Sequence, residues 1–342
     1  MTSTVEAAAP WWARRRAGQR DPGTEGDTLG RPARDRGRVL ALLAVLTAGL
    51  LVFHRAVPNS VGHLGSLLEA FLPWLGLAVV PLFGLALLRR SVIALVALLL
   101  PVAAWTYLFG ALIMPAAKPG TYDRQRLVVV QHNVSDENTD PAGTARTLAD
   151  AEPDLIALQE LVPTALPVYK KTLARQYPYH AIRGTVGLWS KHPLTGVRSV
   201  DIKPSGIVEE WSRGLRAEVR TPHGVIAAYV AHLPSVRFRA SGFATSWRDE
   251  SARLLGEAIA AEQLESVILL GDLNGTVDDR GLAPLTSQLD VAEGSFAFTF
   301  PAAFPVGRID QVMARSATVS HMRTLPATGS DHLPVSAQLT MD

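Results

Sequence analysis

The run from Ser91 to Ala117 carries no charged side chain, and it limits what this chain can become more than any other stretch. A bilayer core takes about 20 consecutive apolar residues of helix. Two further apolar runs precede it. Val39 to Val57 is apolar apart from Thr47, His54 and Arg55, and Leu67 to Leu88 is apolar except for Glu69 near its start. Residues 39–117 therefore predict three transmembrane helices, with His54 and Arg55 snorkelling at the outer end of the first. Pro73, Pro81 and Pro101 would damage soluble helices and are tolerated in spans. A buried helical hairpin of a soluble domain is the competing reading, and the length of the charge-free segment argues against it. The first apolar run starts too late, and is followed by too many others, to be a cleaved signal.

Orientation follows from arginine. Residues 1–38 hold eight arginines against five acids, with too little apolar content for a core, and predict a disordered basic cytoplasmic tail. The turn Arg89-Arg90 is basic, whereas Pro58 to Ser66 has no Lys or Arg. The positive-inside rule puts the tail and Arg89-Arg90 in the cytoplasm. The expectation is a multi-pass protein of the cytoplasmic membrane, N-terminus inside, with everything after Ala117 outside. A linker over 118–125 reaches about 28 Å at most, so a domain at 126–342 would sit close to the outer membrane face. Residues 118–342 hold 22 Lys+Arg against 25 Asp+Glu, a balance of 22 − 25 = −3. That charge predicts no nucleic-acid partner, and no motif points to a protein partner. The absence of cysteine excludes disulfides and thiolate metal sites.

Within the outer segment the informative stretch is Val267-Ile268-Leu269-Leu270-Gly271-Asp272-Leu273-Asn274. Four apolar residues read as a buried strand. On an extended backbone, Asp272 and Asn274 leave its end on one side, able to hold a metal, a water or a phosphoryl oxygen; an Asx turn is the plainer account. The pattern recurs. Strands over 126–134, 154–160 and 225–232 end in Asn133, Glu160 and His232. Asp310 sits inside the apolar strand Arg308–Val312, where an acid is costly unless paired; Arg308 and a histidine are candidate partners. Asp331-His332 precedes the last strand. Helices are expected over 144–151, 164–176, 249–263 and 281–289. Mixed α/β order with polar strand ends predicts sheets whose ends converge on one cleft.

Six ordered motifs carry a resemblance. Asn133 in QHNV, Glu160 in LQE, His232 in AHL, Asp272 and Asn274 in GDLN, Asp310 in RID and Asp331-His332 in SDH resemble the endonuclease/exonuclease/phosphatase superfamily over roughly residues 126–340. The resemblance implies an α+β fold, a four-layer α/β/β/α sandwich, and a divalent cation, magnesium with manganese as a substitute. Three spans ahead of such a domain, with RIDQV and TGSDHLPV, are further similar to the VanJ-type teicoplanin-resistance membrane proteins. That subgroup implies removal of phosphate from undecaprenyl pyrophosphate in cell-wall lipid cycling.

On this reading water attacks phosphorus, and catalysis is positioning and charge neutralisation. Glu160 is the expected magnesium ligand, helped by Asn133 and Asp331. Asp272 orients the water with Asn274, His332 is the base or a phosphate contact fixed by Asp310, and His232 donates to a phosphoryl oxygen. Which of Asp272 and His332 takes the proton is open. Arg237 and Arg239, among aromatics, are candidates to grip a pyrophosphate; a solvated loop leading into a helix is the equal alternative. The competing functions are a tethered outer nuclease, a phospholipid phosphodiesterase, and a catalytically silent membrane scaffold.

Overall fold

The computed structural model describes residues 31–113, 126–222, 224–292 and 295–341. Of the disordered tail expected over 1–38, residues 1–30 lie outside the described residues, whereas 31–38 form the first turns of a helix, Arg31–Val52; the end of the third apolar run, 114–117, and the linker over 118–125 also lie outside them.

The helical unit consists of α1 (Arg31–Val52), α2 (Leu64–Ala70), α3 (Val79–Leu88), α4 (Val92–Ala97) and α5 (Leu99–Ile113). It differs from the three uninterrupted spans expected. Among the described residues, only Val92–Ile113 is both long and apolar enough to cross a membrane. The second apolar run is broken, its two parts, Leu64–Ala70 and Leu72–Leu88, meeting at 74°. Pro73 stands at the start of the second part, where its missing N–H stops the helix from running through. The first run is apolar over Gly37–Val52 and leaves the α-helix at Phe53, just ahead of His54 and Arg55. One such helix, or two if the bent pair counts as one, replaces the three.

The remainder contains β1 (Arg126–Asn133), α6 (Pro141–Ala149), β2 (Leu155–Gln159), α7 (Leu166–Leu173), β3 (Tyr179–Arg183), β4 (Val186–Ser190), β5 (Leu194–Ser199), β6 (Gly214–Thr221) and β7 (Gly224–His232). It continues through β8 (Arg237–Arg239), β9 (Gly242–Ala244), α8 (Ser246–Ala260), β10 (Val267–Asp272), α9 (Ala283–Thr286), β11 (Asp290–Val291), β12 (Asp310–Arg315), β13 (Ala317–Thr324) and β14 (Val335–Met341). Two six-stranded sheets form, in the orders β13-β14-β1-β2-β4-β3 and β11-β12-β10-β7-β6-β5.

Side-chain alternation explains the layers. Along β10, Ile268 and Leu270 enter the core between the sheets, shared with Val129, Ala228 and Val312. Their neighbours Val267 and Leu269 point the other way, under Leu255 and Ile259 of α8. On the opposite sheet Val130 and Ile156 meet Leu148 of α6 and Leu173 of α7. Burying each such side chain contributes about 1.5–3 kcal/mol. The result is the expected α+β sandwich, helices outside two mixed sheets. The α6 helix starts where its sequence says it should: Asp140 Oδ1 accepts from the Gly143 N–H at 2.8 Å and Pro141 fills the first turn. The helix expected over 281–289 is instead a single 3₁₀ turn (Arg280–Leu282) followed by the four-residue α9.

The helical unit is bolted to the sandwich. Glu69, fully buried, accepts from the Arg280 guanidinium at 2.8 Å through both carboxylate oxygens. Trp74 Nε1 donates to Val306 O at 2.7 Å, and its ring stacks on Phe298 at 5.4 Å. The Phe243 N–H donates to Gly62 O at 3.0 Å, and Thr245 Oγ1 lies 2.9 Å from His63 Nδ1.

Candidate active site

The strands that face each other across the central core run out of apolar residues at the same end. Leu127, Val129, Gln131 and Asn133 form one inward row on β1, and Leu155, Ala157 and Gln159 form another on β2. On the second sheet the rows are Ile226–Ala228–Val230–His232, Ile268–Leu270–Asp272 and, from the opposite direction, Ala314–Val312–Asp310. Register brings them level: Asp272 pairs with His232 on one side and with Asp310 on the other. One polar cluster therefore caps the core, built by period-2 alternation. Gly271 permits the close strand packing beneath it, because a Cβ there would strike the Ala231 carbonyl oxygen.

Asn133 is at the centre. Its Nδ2 donates to Glu160 Oε1 at 3.0 Å and to Asp272 Oδ2 at 2.9 Å. Its Oδ1 accepts from the Ser135 N–H at 3.0 Å, which sets the direction of the amide. Glu160 stands just after β2 in a left-handed conformation, φ +59°, a strained geometry for a non-glycine residue. Its other oxygen accepts from the Asp136 N–H at 3.2 Å. His232 Nε2 lies 3.7 Å from Glu160 and 3.6 Å from Asp272. His332 Nδ1 bonds Asp310 Oδ2 at 2.8 Å, and its Nε2 lies 3.8 Å from Asp272. Asp310 Oδ1 in turn accepts from Gln131 Nε2 at 2.9 Å. The His332 backbone is fixed by Ser330, whose hydroxyl accepts the His332 N–H and donates to Asn133 O. The Phe300 ring packs on the imidazole, centroids 4.8 Å apart.

The two histidines differ electrostatically. Burial disfavours charge on His332, but the carboxylates of Asp310 and Asp272 outweigh it and push its imidazole up to about 10. Burial pushes His232 down to about 4, against Asp272 and with help from Arg213 and His332. Arg213 Nη1 lies 3.4 Å from His232 Nδ1; a guanidinium only donates, so Nε2 carries the His232 proton. Burial pushes the Asp272 carboxyl up against the pull of His332, and Asp310 adds to the rise.

The donor set suits a hard divalent cation. Asp272, Asp310 and His332 bring ligand atoms within 4.8 Å of one another, but Asp310 already serves His332 and Gln131. The open carboxylate is Glu160, with 29% of its side chain exposed. Glu160 and Asp272 present oxygens to the same Asn133 amide, a hard-oxygen pair of the kind magnesium takes.

Six predicted residues are placed differently from expectation. Asn133 turns its Nδ2, not its oxygen, to the carboxylates. Asp331 is exposed, and its backbone carbonyl accepts from the Ala302 N–H at 2.7 Å while its neighbour His332 turns inward. Asn274 does not continue the strand. At φ +47° its N–H donates to Asp272 Oδ1 and its Nδ2 to Leu233 O, the Asx-turn alternative. It braces Asp272 from behind. Arg308, a candidate partner for Asp310, donates instead to Ser295 O. Gln311 holds the backbone of Gly275 and Arg308. Arg237 and Arg239 are exposed on β8, away from the core cluster. The residues missed from sequence are Gln131, Arg213 and Phe300. Gln131 was findable, two positions before Asn133 on the same inward row.

A model of the endonuclease/exonuclease/phosphatase family matches residues 130–332. None of the curated proteins matches the sequence significantly. Among solved structures, an endonuclease/exonuclease/phosphatase protein from Beutenbergia cavernae has a TM-score of 0.53 at 19% identity, covering 64% of this chain and 72% of that one. D. rerio TDP2 complexed with a single-strand DNA product gives 0.53 at 19%, covering 63% and 98%. A Staphylococcus aureus beta toxin variant with bound magnesium ions gives 0.50 at 16%, covering 62% and 98%. At such identities the likeness is one of fold. The family match, which spans more than half of the sequence and encloses every residue of the polar cluster, shows that the chain belongs to the endonuclease/exonuclease/phosphatase family.

Proposed function

We propose that this chain is a membrane-anchored, divalent-cation-dependent phosphohydrolase that removes phosphate from a lipid diphosphate outside the cytoplasmic membrane. Undecaprenyl pyrophosphate is the substrate favoured by the VanJ-type resemblance, with teicoplanin resistance as the consequence. The observation that carries the reading is the joint built by Glu69–Arg280 and Trp74–Val306. It fastens the polar cluster, in a family of phosphoester hydrolases, to a helical unit that includes one helix, Val92–Ile113, long and apolar enough to cross a bilayer.

The residues divide the work. Glu160 and Asp272, beside the Asn133 amide, would hold the cation, which when bound neutralises charge on the phosphoryl oxygens. Asp272 takes the proton of the attacking water. Flanked by two carboxylates, His332 serves as the imidazolium that contacts a phosphoryl oxygen, and Asp310 holds its orientation. His232 donates through Nε2 to a second phosphoryl oxygen. Asn274 and Gln131 keep Asp272 and Asp310 in place.

The test is phosphate release from undecaprenyl pyrophosphate by the full chain in detergent, with magnesium or with chelator, beside Glu160→Ala. Release that needs both magnesium and Glu160 is expected. A tethered nuclease is the second reading, supported by the structural neighbour crystallised with a DNA product. Cleavage of single-strand DNA without lipid turnover would replace the first reading with the second.

A further inference from the structure

A cavity of about 660 Å³ opens beside the cluster, between the sandwich and the helical unit. One wall is the Asn59–His63 turn, which joins the first two apolar runs. The β8–β9 hairpin with Arg237 and Arg239 lines it too, as do Trp211 and Arg213. The turn is not merely nearby. The Phe243 N–H of β9 donates to Gly62 O, and Thr245 bonds His63.

Arg213 links this cavity to the reacting centre. It is half-buried, its guanidinium lies over the Trp211 ring at 5.1 Å, and Nη1 reaches His232 Nδ1 at 3.4 Å. Among the described residues no carboxylate lies within ion-pair distance of it. A guanidinium has five N–H donors, so most of its fork is left for a ligand. The other face of the same His232 looks onto Glu160 and Asp272. A group bonded to a phosphorus held at that centre would therefore meet Arg213 in the cavity, with Arg237 and Arg239 farther out on β8.

We infer that Arg213 is the anchor of a second-phosphate subsite, in a cavity that the Asn59–His63 turn of the helical unit closes, so that the enzyme prefers diphosphates to monophosphates. This deepens the phosphohydrolase reading and rests on it for the substrate class. It also gives the helical unit a part in substrate recognition beyond anchoring. The planar fork matters as well as the charge, because Arg engages phosphate bidentately and Lys does not.

The experiment is a binding titration of the full chain in detergent with magnesium, using methylenebisphosphonate and inorganic phosphate as probes. Tryptophan fluorescence and calorimetry give the readouts. The wild type is expected to bind the bisphosphonate at least about tenfold tighter than phosphate, the order of one or two charge-assisted hydrogen bonds. Arg213→Gln should bring the two affinities within about twofold, and Arg213→Lys should keep part of the preference. Ser60→Trp, which fills the cavity from the helical side, should weaken the bisphosphonate alone. Circular dichroism of each variant confirms folding. An unchanged preference in Arg213→Gln overturns the subsite, as does a wild type without preference. Unchanged binding in Ser60→Trp overturns the role of the turn. Lipid diphosphate turnover by the wild type is scored separately. If turnover is absent while an Arg213-dependent preference persists, the hydrolytic reading fails and the subsite stands; turnover with an indifferent Arg213 does the reverse.

Discussion

One amide nitrogen, Asn133 Nδ2, is shared between Glu160 at 3.0 Å and Asp272 at 2.9 Å. These carboxylates belong to different sheets, so Asn133 is a hydrogen-bonded rivet across the sandwich. It is also the group that lets two acids face one point. Asn133→Asp would place a third carboxylate there. We expect the unfolding midpoint in chelator to drop, by the equivalent of about 1–3 kcal/mol for the lost buried donor. Magnesium should then raise the midpoint more in the variant than in the wild type, because the extra charge strengthens a hard-cation site. Activity should fall about 10²–10³-fold. A variant whose midpoint ignores magnesium would remove the cation from this position.

Asp310 governs His332 through a single 2.8 Å hydrogen bond and is itself held by Gln131. Asp310→Asn preserves shape but offers an uncharged partner. The expected result is a loss in kcat of about 10²–10⁴-fold with KM nearly unchanged. Gln131→Leu leaves the His332–Asp310 bond in place and loosens only its far side, so its loss should be nearer tenfold. Equal losses in the two variants, measured on the same phosphoester, would contradict an arrangement in which Asp310 orients His332 directly and Gln131 acts only through Asp310.

Much of this cluster was legible because it follows alternation. A strand that sends alternate residues into the core between the sheets and ends in Asn133, His232 or Asp272 must aim that residue where its inward apolar predecessors point. What escaped reading breaks the alternation or depends on tertiary approach. Asn274 was expected beside Asp272, but the chain leaves the strand one residue earlier and Asn274 turns back to Leu233. Arg213 precedes β6, and only the folded pairing of β6 with β7 brings it to His232. The bend in the second apolar run was hidden because hydropathy is indifferent to Pro73. The edge strands β5 and β13 carry mixed, partly exposed residues, so neither stands out as an apolar run.

Acid sensitivity is expected at a site far from the cluster. Burial alone would raise the Glu262 carboxyl. The Arg216 guanidinium, bonded to both of its oxygens at 2.9 Å, with the Leu264 N–H and Tyr229, holds it down at about 2 against an ordinary 4.5. A group with a depressed folded pKa stabilises the native state above its unfolded value and loses that contribution as pH falls through the window to its folded value. Stability should therefore decline between about pH 4.5 and pH 2, by about 3 kcal/mol. Glu262→Gln should be less stable at pH 7 and should lose much of this slope. Denaturant midpoints across that pH range check it, and an unaltered slope in the variant would assign the acid sensitivity elsewhere.

The Glu69–Arg280 pair tests whether the helical unit and the sandwich act as one body. Glu69 is fully buried and Arg280 is 27% exposed, and Arg280 also donates to Val57 O and His54 O. Arg280→Met strands a buried carboxylate, which costs about 3–5 kcal/mol, whereas replacing both partners by apolar residues is often close to neutral. Arg280→Met should lower the unfolding midpoint and expose the Pro58–Ser66 turn to protease. Glu69→Met with Arg280→Met should restore much of the midpoint. If the cavity beside Arg213 needs this joint, bisphosphonate affinity should fall in the single variant and recover with stability in the double variant. Should affinity stay low after stability returns, the fault lies in the Arg280 contacts to the Val57 and His54 carbonyls, and Arg280→Lys, which can reach them with a single ammonium, should bring affinity partly back.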